Sequence, residues 1–406
     1  MAQSFTAINA LPTTQIGGSN VSAFGDLIVA NHTPVVQLDF VYGINTQTGT
    51  SAVLNSAIVD TSVSRLRLQS GTNAAGSAIF QSVRIARYRQ GQGMMARFTG
   101  VWLANAASST QVIGVGNATV GYFFGYNGTA FGLSIRNGGS DSWTAQTAWN
   151  GDRCDGTGAS GFNWNPTLGN VMMIRYPYLG YGAITFWVQN PITDQWILCH
   201  TIQYPNSSAS VQLTNPSFPF YAAAINAGST TNLTMYVGSV GIFISGPREY
   251  LGAQWAFDNN KATITTETCL LNLRNCVTYN GSTNLGVIRL RSLSCSSNGG
   301  GTPISVIRFK KGVTIGGSPS YTTINGTTAD NGVTITAGNS IASVDTAGTT
   351  VTNGTYIYNI SLATSSATID LTPFLIYVNP GEILTVSGFA TGSSTISASI
   401  NWNEDV

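Results

Sequence analysis

Gly121-Tyr122-Phe123-Phe124-Gly125-Tyr126-Asn127-Gly128-Thr129-Ala130-Phe131-Gly132-Leu133-Ser134-Ile135-Arg136 decides the fold class of this chain. Two runs rich in aromatic and aliphatic residues flank Asn127-Gly128. Asn-Gly suits a tight hairpin because the central positions of such a turn take positive φ. The stretch predicts a strand over Gly121–Tyr126, a hairpin, and a strand over Phe131–Arg136. Tyr122, Phe123, Phe124 and Tyr126 alternate across the first strand, which assigns part of the set to a core.

Outward from this hairpin the same punctuation repeats. Val35–Val41, Ser64–Gln69, Ala78–Tyr88, Met94–Leu103 and Gln111–Gly116 precede it. Val171–Tyr176, Ala183–Gln189, Trp196–Tyr204, Phe220–Ile225, Leu233–Val237 and Val240–Ile244 follow. Each run is short, rich in Val, Ile, Phe, Tyr and Thr, and bounded by Gly, Asn, Asp or Pro. Asn190-Pro191 with Asp194-Gln195 marks a second hairpin. This spacing predicts an antiparallel two-sheet sandwich over residues 34–245. Residues 1–33 read as an extended N-terminal arm, and 246–261 (GPREYLGAQWAFDNNK) as a linker. Residues 262–406 read as a second, smaller β-sandwich or jelly roll. There, Val287, Arg289, Arg291 and Leu293 are expected on one strand face, with Ile288, Leu290 and Ser292 on the other. Gly312–Thr355 is polar and reads as exposed loops or edge strands. No run has the period and length of an ordinary helix, and no internal repeat is present.

Only 8% of the 406 residues are charged, where a soluble domain carries about 25%. Ser, Thr, Asn, Gln and Gly supply the polar surface instead. The net charge of +1 gives no basic face for non-specific nucleic-acid binding. Lys261, Lys310 and Lys311 are the only lysines, so arginine, the better residue for packed interfaces, dominates the cations. Met1–Gly18 lacks the basic and apolar regions of a secretory signal, and no run reaches the length of an apolar membrane span. The expectation is synthesis in a cytoplasm without membrane insertion.

The ionisable residues point away from catalysis. Asp26, Asp39, Asp60, Asp194 and Asp258 are dispersed, whereas glycoside hydrolysis needs two acids about 5–10 Å apart. Neither His32 nor His200 has a neighbouring acid and a serine in a nucleophile-elbow setting. His200 reads as a core or edge histidine and His32 as a turn residue. Cys154, Cys199, Cys269, Cys276 and Cys295 match no zinc spacing and read as buried free thiols. No cofactor and no enzymatic activity are expected. Asp152 and Asp155, in Asp152-Arg153-Cys154-Asp155-Gly156, are a weak calcium candidate. A solvated turn is the preferred reading, because calcium takes six to eight oxygens.

The long segment Gly138–Gly169 sets Trp143, Trp149 and Trp164 among Asn, Ser, Thr and Asp, with Asp141 at its start. Aromatic platforms beside amides and carboxylates suit sugars, so these four residues form the candidate glycan site. The competing reading has the tryptophans pinning the loop to the sandwich. The arginines at 84, 87, 89 and 97 read as interface or ion-pair residues.

Several segments resemble virion structural proteins of tailed bacteriophages and some large DNA viruses. They are Ala23-Phe24-Gly25-Asp26-Leu27, Arg87-Tyr88-Arg89-Gln90-Gly91-Gln92-Gly93, the opening hairpin, and Tyr178-Leu179-Gly180-Tyr181-Gly182. Toward the end, Asp370-Leu371-Thr372-Pro373, Asn379-Pro380-Gly381-Glu382 and Asn401-Trp402-Asn403-Glu404-Asp405 resemble the closing module of phage appendage proteins. The resemblance implies a concanavalin A-like, lectin-type first sandwich and no catalytic residues. It also implies a non-enzymatic head-fibre, capsid-decoration or tail-appendage subunit of the virion. By analogy with viral appendages, the subunit is expected to form a homotrimer and to contact other virion proteins. Phe24, Asp26, Arg87 and Arg89 are then candidate assembly residues. The alternatives are a receptor-binding lectin for host-surface glycans and, after it, a polysaccharide-degrading enzyme.

Overall fold

The computed structural model describes residues 32–247, 252–300, 303–324, 334–335, 340–363 and 365–405. The chain divides into two compact units, Met1–Arg248 and Glu249–Val406. The described part of each is built of strands, with 3-10 turns at Gln146–Ala148 and Thr372–Phe374. No helix among the described residues is long and apolar enough to cross a membrane.

The first unit runs through β1 (His32–Asp39), β2 (Gly49–Leu54), β3 (Ile58–Ser62), β4 (Arg65–Gln69), β5 (Ser77–Ser82), β6 (Met94–Trp102), β7 (Ser109–Gly116) and β8 (Gly121–Asn127). It continues through β9 (Ala130–Asn137), β10 (Ser140–Ala145), β11 (Asn170–Tyr176), β12 (Ile184–Gln189), β13 (Trp196–Ile202), β14 (Phe220–Asn226), β15 (Thr234–Val237) and β16 (Ser239–Ser245). One sheet has seven strands in the order β10-β9-β8-β7-β14-β5-β2. The other has nine, along β13-β12-β11-β6-β15-β4-β3, with β16 pairing β6 and β1 pairing β16. All of these pairings are antiparallel.

The opening hairpin forms, but its turn is centred one residue later than expected, on Gly128-Thr129, and of these only Gly128 takes a positive φ. Asn127 pairs with Ala130, and Gly128 in the turn has φ +61°. Period-two burial then brings one face of each sheet into a shared core. Phe98 from the nine-stranded sheet meets Phe124 from the seven-stranded sheet, ring centroids 6.3 Å apart, and Phe124 also meets Phe186 edge-on at 5.2 Å. Burying such a side chain contributes roughly 1.5–3 kcal/mol. The strand ends follow the sequence reading closely, except that the run expected over Ala78–Tyr88 is a strand only to Ser82. β2, β3 and β10 were unexpected. They are short and rich in Ser, Thr and Ala, so they carry little of the apolar signal that marks a strand.

The second unit is also a two-sheet sandwich. One sheet joins Gln254–Ile264, Ser394–Asp405, Val287–Gly299, Ser366–Asp370 and Tyr377–Val378. The other joins Thr322–Thr323, Ala342–Asp345, Thr268–Asn275, Ile383–Ala390, Ile304–Lys311 and Thr355–Ala363. Its core centres on Leu271, Leu290, Ile307, Phe309, Val386 and Trp402.

Two expectations need correction here. The segment 246–261 is not a linker throughout, because Gln254–Ile264 is an eleven-residue strand paired with the C-terminal strand. Its alternating burial, with Trp255 and Phe257 packed against the core, explains why it is drawn into the sheet. The clean alternation of 287–293 is also broken. A bulge between Leu290 and Ser292 leaves Arg291 as the extra residue, so Leu293 joins Ile288 and Leu290 in the core.

All five cysteines are free and buried, two in the first unit and three in the second. Cys154 and Cys199 bring their sulfurs to 3.7 Å. Burial pushes the Cys199 thiol well up and the Cys269 thiol up to about 12.

Candidate functional site

The four residues expected to hold a glycan do not share a surface. Trp149 and Trp164 are core residues, 3% and 5% exposed. Their rings lie 5.9 Å apart, and both meet Phe124 and Phe131 between the two sheets. They pin the 146–169 segment to the sandwich and offer no platform to a sugar. Trp143 is half-buried on the opposite, outer face of the seven-stranded sheet. The register places Phe123, Ser134 and Trp143 in one row there, and Trp143 packs with the cluster of Val112, Phe123, Tyr221 and Ala223.

Asp141 is on the same outer face and is already engaged. Arg136 donates to it from Nε at 3.0 Å and Nη2 at 2.9 Å, and Ser134 Oγ donates at 2.8 Å. The guanidinium also lies over the Phe123 ring, 4.8 Å from its centroid. A bidentate pair with a ring beneath it fixes the carboxylate in place.

The calcium candidates serve as turn caps. Asp152 accepts from the amides of Cys154 at 2.8 Å and Ser160 at 2.7 Å. Burial alone would push its pKa up, but these amides and the Ser160 hydroxyl together hold it below the usual carboxylate value. Asp155 accepts from the amide and hydroxyl of Thr157 at 2.9 and 2.6 Å. Among the described residues, no three His, Cys, Asp or Glu side chains gather as a metal ion requires.

Of the assembly candidates, Arg87 and Arg89 are half-buried on the connection between β5 and β6, each held by contacts within the chain. Phe24 and Asp26 lie outside the described residues.

A recess of the first unit opens between two sheet edges. β10 ends the seven-stranded sheet and β13 ends the nine-stranded one. Between them lies a cleft of about 490 Å³. Ile135, Ser142 and Thr144 come from one side, with Asn137 and Ser140 at the β9–β10 turn; His200, Ile202, Tyr204 and Gln212 come from the other. Among the described residues, the hydroxyls of Ser140, Ser142, Thr144 and Tyr204 have no partner within the chain.

The deeper polar groups are held in place. Tyr122 Oη, at the buried end of the core, donates to Gln212 Oε1 at 2.8 Å, and Gln212 Nε2 donates to the Gly182 carbonyl. The Asn150 amide donates to His200 Nδ1 at 3.1 Å. That bond leaves Nε2 as the protonated nitrogen of the neutral ring. Burial lowers the His200 pKa, which favours this neutral form. The cleft is therefore an uncharged, hydroxyl-rich surface with a tyrosine at one wall. Among the described residues Asp141 is its one carboxylate, and Arg136 pairs with it.

A larger hollow of about 620 Å³ lies on the five-stranded sheet of the second unit, with Trp255, Arg291, Asp370 and Asn401 among its residues. Its carboxylate, on Asp370, caps the turn at the Thr372 amide at 2.8 Å. There Trp402 Nε1 donates to Glu404 Oε1 at 3.0 Å and Asn401 Nδ2 donates to Ser292 Oγ at 2.9 Å.

No family model and no curated protein matches this sequence. Among solved structures, the chain is similar to the lectin UEA-II complexed with galactose, at 10% identity over 52% of this chain and 100% of that one, TM-score 0.34. The lectin from Bauhinia forficata in complex with GalNAc matches at 12% identity over 53% of this chain and 100% of that one, TM-score 0.34. A legume lectin-like domain from Entamoeba histolytica matches at 13% identity over 50% of this chain and 95% of that one, TM-score 0.31. Likeness at this level carries no statement about activity.

Of the four residues expected from the sequence, Asp141 lines the cleft between β10 and β13 and the three tryptophans do not. His200, Tyr204 and Gln212 sit 56 or more residues beyond Thr144, and only the facing of two sheet edges brings them to it. The one local signal was Cys199-His200, a histidine inside an apolar strand, which reads more simply as core.

Proposed function

We propose that the first unit is a non-hydrolytic carbohydrate-binding module whose site is the cleft between β10 and β13. The observation that carries this reading is the lining. Unpartnered hydroxyls, a fixed amide, a neutral imidazole and one tyrosine edge suit a neutral polyol that presents many donors and acceptors. Buried polar groups positioned by their own partners favour a ligand that completes their hydrogen bonds. A hydrolase is disfavoured because two acids are needed near the scissile bond and, among the described residues, Asp141 is the only carboxylate at the cleft.

A glycan array probed with the purified protein tests the proposal. Binding of a neutral saccharide is expected, with Tyr204→Ala and Gln212→Ala each weakening it about tenfold or more. Silence across the array, or binding unchanged in both variants, would overturn it. Release of reducing ends from a bound polysaccharide would replace it with an enzymatic reading.

A second reading is that the chain is a structural subunit, such as a fibre or decoration subunit of a virion. The five-stranded sheet of the second unit favours it. Ser294, Ser296, Thr368, Ser397, Ser399 and Asn401 make a polar surface on that sheet, which also carries Asp258, Arg291 and Asp370. Such a surface sets many hydroxyls and amides, and few charges, against a copy of itself. A trimer in light scattering would support this reading, and a monomer at all concentrations would count against it.

A further inference from the structure

The outer face of the nine-stranded sheet carries a different chemistry. Arg97 on β6 stands opposite Met173 on β11, and Arg175 stands two residues along, opposite Met95. The register puts Thr185 beside Arg175 and Trp187 beside Met173, all on the face turned away from the core residues Ala96, Phe98, Met172 and Ile174. Phe243, opposite Met95, extends the patch toward Pro34 and His32 on β1. Arg175 is only 5% exposed and Trp187 only 6%.

Among the described residues, neither guanidinium has a carboxylate partner. The described ion pairs of this unit are Arg67–Asp60 and Arg136–Asp141, and Arg97 and Arg175 enter neither. Arg97 Nε and Arg175 Nη2 are buried without a hydrogen-bond partner, as is His32 Nδ1. What the arginines do have is aromatic. Arg97 lies over Trp196 at 5.7 Å and Arg175 over Trp187 at 5.8 Å, and Trp187 Nε1 donates to Thr185 Oγ1 at 2.8 Å, which fixes that indole. A ring face offsets part of a cation's burial but accepts no directed N–H bond and leaves the mutual repulsion in place. Consistent with an uncompensated positive field, His32 has a lowered pKa, first through burial and then through Arg97 and Arg175.

We propose that Arg97 and Arg175, flanked by Trp187 and Trp196, form a binding site for an oxyanion, the carboxylate or sulfate group of a small ion or of an acidic saccharide. One such group would accept from both orphaned N–H groups and cancel the repulsion between the arginines. The indoles and Phe243 offer the apolar margin that a sugar ring bearing the anion would cover. This site lies on the outer face of the nine-stranded sheet, shares no residue with the lining of the neutral cleft, and does not depend on the function proposed for that cleft.

The test is a titration of the full chain at constant ionic strength with sodium sulfate, sodium acetate and an oligouronate, each against sodium chloride, followed by tryptophan fluorescence. A saturable change is expected in at least one arm. Saturation with sulfate or acetate identifies a free oxyanion as sufficient. Saturation with the oligouronate alone identifies a saccharide carboxylate. Arg97→Gln and Arg175→Gln should each weaken binding about tenfold or more, the effect of losing a charge-assisted bond. Should either variant fail to fold, nuclear magnetic resonance of the two imidazoles in the native chain decides: the bound anion raises the His32 pKa and leaves His200 unmoved. Responses identical to chloride in every arm, or saturation unchanged in both variants, or an unmoved His32, overturn the proposal.

Discussion

Trp149 and Trp143 are six residues apart and sit on opposite faces of one sheet, and the difference is measurable. Trp149→Ala opens a void beside Trp164, Phe124 and Phe131, and should cost about 3–5 kcal/mol in urea denaturation. Trp143→Ala, half-buried at the sheet surface, should cost about 1 kcal/mol. Asp141→Asn leaves the buried Arg136 without its anion and should cost about 2–3 kcal/mol. His200 gives a signed pH effect. Its folded pKa is lowered from 6.5 by burial, so the unfolded chain binds the proton more readily. Stability is full above the unfolded value and falls as pH drops from about 6.5 toward the folded one. Comparing the native chain with His200→Asn at pH 7.5 and near pH 5 isolates this contribution from that of His32. An equal slope in both proteins would remove His200 as the cause. At this scale the sequence was least legible: tryptophans in a polar loop carry no periodicity, and nothing local tells an inward ring from an outward one.

Elements were more legible, for reasons visible in particular strands. β8 and β9 announce themselves through Asn127-Gly128 and continuous apolar runs, a local signal that needs no knowledge of the partner strand. β10 (Ser140–Ala145) gives no such signal, because an edge strand with one neighbour needs few apolar residues. The bulge at Arg291 was illegible because two-residue periodicity cannot register one inserted residue until the partner strand is known. The pairing of β7 with β8 makes its own prediction. Gly125 lies so close to the Gln111 carbonyl that a Cβ there would collide with backbone, whereas Gly169 faces open space. Gly125→Ala should destabilise by about 1–3 kcal/mol, and Gly169→Ala should be close to neutral in the same thermal melt.

Across the whole molecule, the two units have separate cores, one holding Trp102 and the other Trp402. Denaturation should therefore proceed in two steps. Trp102→Ala should lower the midpoint of one step and Trp402→Ala that of the other, in calorimetry or in denaturant. A single transition shifted equally by both variants would refute independence. The 8% charge content also takes on a physical meaning at this scale. With few ion pairs, the stability of both units should vary little as salt screens them. Composition conveyed that much directly. It did not convey that two of the few cations would be left without anions on one sheet face, because pairing is a property of the folded register.

The buried thiols supply a clock for that unfolding. Cys154 and Cys199 report on the first unit, and Cys269, Cys276 and Cys295 on the second. With no thiol at the surface and burial holding Cys199, Cys269 and Cys295 protonated, an alkylating reagent reads only excursions that expose them. The order in which these sulfurs become modified, resolved by peptide mass, would time the opening of each sandwich in the native chain without any label being introduced.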